Sequence, residues 1–192
     1  DALPIWFFEV EPDTRLDAVT RLLNHYQPTS TVAFCNTRVQ CNDLVQILRP
    51  HGFSALTLHG DLDQRDRDQV LIQFANHSCS VLVATDVAAR GLDIADLAAV
   101  INVDTTPDPQ VYTHRIGRTG RAERNGRSMT MVNPMDLRRW KRIEELVGRS
   151  LPWTERPLCG WTESPANSAG SGENRGGRPH RKPGYRPNRT KK

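Results

Sequence analysis

With 192 residues the chain is long enough for one domain of ordinary size and a tail. No apolar run approaches the roughly 18–20 residues that cross a bilayer, and the opening DALPIWFFEV lacks the basic start and cleavage site of a signal peptide. The net charge of +4 is unevenly spread: from Ser164 onward eight basic residues face the single acid Glu173, giving +7, while residues 1–163 carry 18 basic and 21 acidic residues, giving −3.

Residues 5–10, IWFFEV, are aromatic and branched and read as a strand. Asp13 is placed to cap a helix on which Leu16, Val19, Leu22, Leu23 and Tyr26 recur at helical spacing. TVAFC at 31–35 is a continuous apolar run, suited to a strand buried on both faces of a parallel sheet. A second helix, with Cys41, Leu44, Val45 and Leu48 inward, stops at Pro50-His51-Gly52. SALTL at 54–58 is the next strand, and residues 63–76 form a helix that turns Val70, Leu71 and Phe74 inward. Strands follow at 80–84 (SVLVA) and 98–103 (AAVINV), then a helix over 108–116 and a last strand, RSMTMV, at 127–132. A helix from about Pro134 sets Leu137, Trp140, Ile143, Leu146 and Val147 on one side, with Trp140 read as packing.

Strand and helix alternate throughout, which predicts an α/β fold: a doubly wound parallel sheet with helices on both faces. Ligands on such sheets gather beyond the carboxyl ends of the strands. The polar clusters fall there: Asn36-Thr37-Arg38, His59-Gly60-Asp61, Thr85-Asp86 and the loop after 103. Residues 1–12 read as a linker and first strand, residues 13–153 as the domain, and residues 154–192 as a disordered Gly/Pro/Arg-rich basic tail that buries too little apolar surface to fold. Cys35, Cys41, Cys79 and Cys159 show neither C-x-x-C pairing nor zinc spacing. They read as reduced thiols of a cytoplasmic protein, with Cys35 and Cys41 in the core.

The stretch HRIGRTGRAERNG packs His114, Arg115, Arg118, Arg121 and Arg124 among Gly117 and Gly120. Glycine lets backbone approach closely, and the planar guanidinium fork matches phosphate oxygens. The combination reads as a phosphate clamp, and its alternative is a basic surface loop. An arginine on a γ-phosphate stabilises charge that develops in phosphoryl transfer.

HRIGRTGR at 114–121 resembles the sixth conserved motif of the DEAD-box RNA helicases. VAFCNT at 32–37 is similar to the fourth, HGDLDQRDRDQVLIQF at 59–74 to the HGxxxQxxR element, ATDVAARGLDI at 84–94 to the fifth, and VINVD at 100–104 to the element after it. The resemblance spans residues 5–150 and is closest to the bacterial DbpA-like branch. It implies a RecA-like second motor domain. It further implies that Arg118 and Arg121 are arginine fingers on ATP, with His114 coupling the two motor domains near the γ-phosphate. By the same resemblance Gly91 and Asp93 of RGLD hold ATP, and Thr37, Arg38, Gly60, Gln64, Arg67 and Thr85 contact the RNA sugar-phosphate backbone, which holds a strand without reading its sequence. Plainer readings stand beside these: an Asx turn for Asp93, a solvated pair for Gln64 and Arg67, and a helix cap for Thr85-Asp86. The basic tail, with Tyr185, reads as a nonspecific RNA contact or a solubilising extension.

Neither G-x-x-x-x-G-K-[ST] nor a DEAD sequence occurs in the chain. The missing initiating Met and the abrupt strand-like start point to a fragment. The resemblance implies a preceding motor domain in the same chain that supplies the phosphate loop and holds Mg2+. It implies a monomeric, RNA-stimulated ATPase in the full protein, acting on structured or ribosomal RNA in ribosome assembly, with the fragment inactive alone. A DbpA-like protein ends in a folded RNA-binding domain, and nothing after Trp153 reads as one. The alternatives are a stand-alone RNA-binding or regulatory module and a DNA-directed motor of the same superfamily.

Overall fold

A computed structural model describes residues 5–90, 94, 96–120 and 126–147, all in the first of two compact units, Asp1–Trp161. Gly91, Asp93, Arg121, Arg124 and the basic tail lie outside the described residues. Strands and helices alternate as β1 (Ile5–Glu9), α1 (Arg15–Tyr26), β2 (Thr31–Cys35), α2 (Arg38–Leu48), β3 (Ala55–Leu58) and α3 (Gln64–Ala75). They continue as β4 (Val81–Thr85), α4 (Asp86–Ala89), β5 (Ala99–Asn102), α5 (Pro109–Ile116), β6 (Arg127–Val132) and α6 (Leu137–Val147).

The six strands are parallel in the order β1-β6-β5-β2-β4-β3. In register, Phe7, Thr130, Asn102, Phe34, Ala84 and Leu58 form one row across the sheet and share one face. The steps β1 to β2 and β2 to β3 run in one direction, and every later step runs back. A right-handed crossover must then change face when the direction reverses. Accordingly α1 and α2 pack with Phe8, Ala33, Ile101 and Met131 on one face. The helices α3 to α6 pack with Val32, Leu82, Val100 and Phe7 on the other. At the neighbours β2 and β5 the chain leaves in opposite directions, which opens a crevice beyond their carboxyl ends.

Two local expectations change. Asp13 does not cap α1: Pro12–Thr14 form a 3-10 turn, and the helix starts at Arg15 behind Thr14, whose side chain makes no capping bond. Pro12 fixes its own φ and lacks an N–H, which favours a tight entry turn. On α6, Trp140 and Ile143 are buried, but Leu137 is 45% and Leu146 is 51% exposed. The helix covers the edge pair β1/β6, where only its middle meets the sheet. There Trp140 lies 3.9 Å from Phe7, ring centroid to ring centroid. Cys35 and Cys41 are both core residues, and Cys41, hydrogen-bonded to the Cys35 thiol, together with burial pushes that thiol well above its ordinary range.

Candidate nucleotide and nucleic-acid interface

The crevice between β2 and β5 is filled by a buried polar network. Arg115, on the inner face of α5, grips Asp86 at the start of α4 side-on, with Nε donating to Oδ1 at 2.7 Å and Nη2 to Oδ2 at 2.6 Å. Its other hydrogens go to Asn36 Oδ1 at 3.2 Å, the Asp104 carbonyl at 3.0 Å and Asn102 Oδ1 at 3.4 Å. The guanidinium also lies over the Phe34 ring at 5.1 Å. Asp104, itself buried, accepts from the Asn36 backbone N–H, from Gln40 and from Arg15. A buried charge is tolerated only when paired and hydrogen-bonded, and here the ends of β2, β4 and β5 supply the partners of Arg115, while Arg15 and Gln40 of α1 and α2 bond to Asp104.

Outside this network the clamp stretch opens to solvent. His114 is exposed on α5, one residue before the buried Arg115, and Arg118 is half-buried just beyond the helix end. Together with Phe34, Asp86, Ala89, Arg90, Val111 and Arg115 they line a cleft of about 80 Å³. Pockets for small ligands run to ~300–1,000 Å³, so this cleft can hold only part of a nucleotide. A larger cavity, about 430 Å³, lies between α1 and α2, but its lining includes Asp13, Asp17 and Asp43, the wrong charge for phosphates.

The position of Arg118 is fixed by its neighbours. The Arg118 carbonyl accepts from Leu97 N–H at 3.2 Å, and its Nη1 donates to the Ile94 carbonyl at 3.5 Å. Thr119 forms a parallel bridge with Leu97 and donates its hydroxyl to the Leu97 carbonyl. Gly120 sits at φ +71°, a left-handed conformation that glycine adopts without strain. A Cβ added to the buried Gly126 would stand within 3.0 Å of Thr119 Oγ1 and of the Gly120 backbone. The clamp loop is therefore stapled to the segment that follows α4.

The residues expected at a nucleic-acid strand stand along the neighbouring strand ends β2, β4 and β3. Thr37 and Arg38 follow β2, and the Thr37 hydroxyl caps α2 by accepting from Gln40 N–H at 3.3 Å. Arg38 Nη1 donates to both Asp61 oxygens at 2.6 and 2.7 Å, but the two side chains are 63% and 52% exposed, so the pair is exchangeable. Thr85 ends β4 and, against the capping alternative, makes no side-chain cap bond to α4. Asp86 is engaged by Arg115. Gly60 follows β3, and a Cβ there would meet nothing within 4 Å, so packing does not demand glycine at this position. Gln64 donates to Asp68 at 2.7 Å on the exposed side of α3. Arg67 is half-buried and donates Nη2 to the Ala88 carbonyl at 2.7 Å, tying α3 to α4.

The sequence shows Arg115 only as one of the clustered arginines and gives no role to Arg15, Gln40, Asn102 or Asp104. The readable signal was Asn102 and Asp104, polar side chains ending an otherwise apolar strand. Among the described residues no group of three or more His, Cys, Asp or Glu side chains could hold a metal ion, and no helix is long and apolar enough to cross a membrane.

The chain is similar to known proteins in sequence and in fold. The family model for the helicase conserved C-terminal domain matches residues 14–123, more than half of the chain, and the chain belongs to that family in its DEAD-box division. The chain is 46% identical over 160 residues to the ATP-dependent RNA helicase DbpA of Escherichia coli strain K12, covering 82% of this chain and 35% of that protein. It is 39% identical over 152 residues to the DEAD-box ATP-dependent RNA helicase CshA of Bacillus subtilis strain 168, covering 79% of this chain and 31% of that one. It thus spans about a third of the length of these curated relatives. The solved structure of the E. coli DEAD-box protein SrmB, bound to regulator of ribonuclease activity A, is similar with TM-score 0.76 and 28% identity over 87% of this chain and 99% of that chain. The C-terminal domain of the DEAD-box protein Dbp5 gives TM-score 0.75 and 30% identity over 83% of this chain and 92% of that chain.

Proposed function

We propose that this chain is the second motor domain of an ATP-dependent RNA helicase, in which it completes the ATP site and grips the RNA backbone. The observation that carries the reading is one of placement. His114 and Arg118 line a cleft too small for a nucleotide, and Thr37, Arg38, Gly60 and Thr85 stand at the ends of the neighbouring strands β2, β3 and β4. Arg118 and Arg121 stabilise charge that develops on the transferred phosphoryl group, His114 couples the cleft to the partner domain, and Gly91 and Asp93 hold the nucleoside end. Thr37, Arg38, Gly60, Gln64, Arg67 and Thr85 hold phosphates and sugars, so binding is independent of sequence. The phosphate loop and the carboxylates for Mg2+ come from a preceding motor domain of the same chain. Closure of the two domains on ATP bends one strand and separates short duplexes. A structured or ribosomal RNA target, a monomeric state and a cytoplasmic place complete the proposal and rest on the family resemblance alone.

The test is Arg118→Ala in the full-length protein. RNA-stimulated hydrolysis falls by about a thousandfold or more, the range seen for arginine fingers, while RNA affinity changes only a few-fold. Unchanged turnover would sink the finger assignment.

A further inference from the structure

Arg138, Arg139, Lys141 and Arg142 stand within five positions on α6, and all four are exposed. They form a basic block in a part of the chain, residues 1–163, that carries a net −3. Their place on the helix is the reverse of what helix stability favours. The amino end of a helix carries partial positive charge, so acids stabilise the first turn and bases the last. In α6 the first turn has no acid and the last turn no base, and Glu144 and Glu145 follow the basic block. Among the described residues an ion pair reaches only Arg139, with Asp136 at 3.2 Å and Arg139 half exposed. The block therefore adds its charge to the helix dipole and leaves most of it unspent inside the fold.

The block is also rigidly presented and well placed. Trp140 and Ile143 project from the same turns into the core, where Trp140 meets Phe7 and, edge-on, Tyr112 of α5. Because α6 starts just after the carboxyl end of β6, the block stands on the rim that carries the clamp loop and the strand-gripping residues. A chain of ion pairs runs inward from it: Arg139 to Asp136, Asp136 to Arg15 at 3.7 Å, and Arg15 to Asp104 in the central network. The strand β6 lies two positions from β2, ~10 Å at the usual spacing, and farther from β4 and β3. The block is thus outside the footprint of a strand held at β2, β4 and β3.

We propose that the basic face of α6 is a second RNA-contact surface, which takes phosphates of the RNA that flanks the gripped strand. The proposal rests on the helicase reading above. Arginine forks hold phosphate oxygens without reading bases, so the contact depends on RNA length and salt and not on sequence.

The test uses the full-length protein with Arg138→Gln and Arg142→Gln combined, which removes the charge and keeps an unbranched polar side chain of similar helix propensity. The readouts are the RNA concentration that half-saturates ATPase and direct RNA binding across a salt series. Each is measured with a short single strand and with the same strand extended by a flanking duplex. For the extended RNA, half-saturation rises about three- to tenfold and the salt slope falls by about 1.5, the loss expected for two phosphate contacts. For the short RNA neither changes, and turnover at saturation is unchanged for both. Arg138→Lys with Arg142→Lys retains most of the extended-RNA affinity. Equal affinities and slopes for wild type and the Gln variant on the extended RNA would overturn the proposal. So would an equal loss on both RNAs, or a change in RNA-free turnover, which would mark a contact with the first motor domain. A wild-type protein without RNA-stimulated turnover would overturn the helicase reading itself, and this proposal with it.

Discussion

Arg115 and Arg118 stand three residues apart in one motif, but Arg115 is locked in the buried network while Arg118 is half-buried and lines the cleft. In Arg115→Met an unbranched apolar side chain replaces the arginine stem, but the guanidinium over the Phe34 ring and every donor are lost. Asp86 keeps its charge without its partner, and Asn36, Asn102 and the Asp104 carbonyl each lose a hydrogen bond. Removing one partner of a buried ion pair costs ~3–5 kcal/mol. The Asp86 side chain is 27% exposed and can regain some water, which places the cost near ~3 kcal/mol. With a urea slope of ~2 kcal/mol/M, the unfolding midpoint falls by about 1.5 M, a large share of a typical ~5–15 kcal/mol of stability. Urea titration followed by tryptophan fluorescence, to which the buried Trp140 contributes, reads this. Arg118→Ala, a half-buried side chain outside the network, moves the midpoint by less than about 0.5 M. Equal shifts for the two variants would refute the division of labour between these arginines.

Gly126→Ala drives a methyl group against Thr119 and the Gly120 backbone, which cannot yield as a flexible side chain could. Overpacking of this kind costs ~1–3 kcal/mol, and the thermal midpoint drops by about 3–10 °C; a shift below about 1 °C would show that the loop is not tightly held. Tyr112 bears on alkaline stability. Burial pushes its hydroxyl up from 10.0 to about 12, so the folded state resists ionisation that the unfolded chain accepts. The resulting stability is fully present below pH ~10 and is lost as pH rises from there through about 12, by up to ~2.7 kcal/mol for the two-unit shift. Urea midpoints from pH 9 to 11.5 fall less steeply in Tyr112→Phe than in wild type, and parallel curves would remove Tyr112 as a cause.

Hydrophobic period made most of the architecture readable. A continuous apolar run marked β2 as a strand covered on both faces, and the spacing of Cys41, Leu44, Val45 and Leu48 marked the buried side of α2. Local chemistry that depends on distant partners was not readable. Arg115 and Arg118 look alike in sequence, and only the positions of Asp86, Asn36 and Asn102, brought together by strand order, separate them. The start of α1 was misjudged because Asp13 is a good cap by type, while Pro12 tightens the entry into a 3-10 turn. The reach of the apolar side of α6 was overstated because sequence period does not reveal where an edge strand ends. Gly91, Asp93 and Arg121 lie outside the described residues, and their roles belong to the proposal and rest on family likeness.

The central claim is that this chain carries one half of an ATP site and the other half lies on a preceding domain. The direct measurement is ATP hydrolysis, with and without RNA, by the 192-residue chain alone and by the full-length protein. The account predicts no hydrolysis above background from the chain alone and RNA-stimulated turnover from the full-length protein. RNA-stimulated hydrolysis by the isolated chain would contradict it.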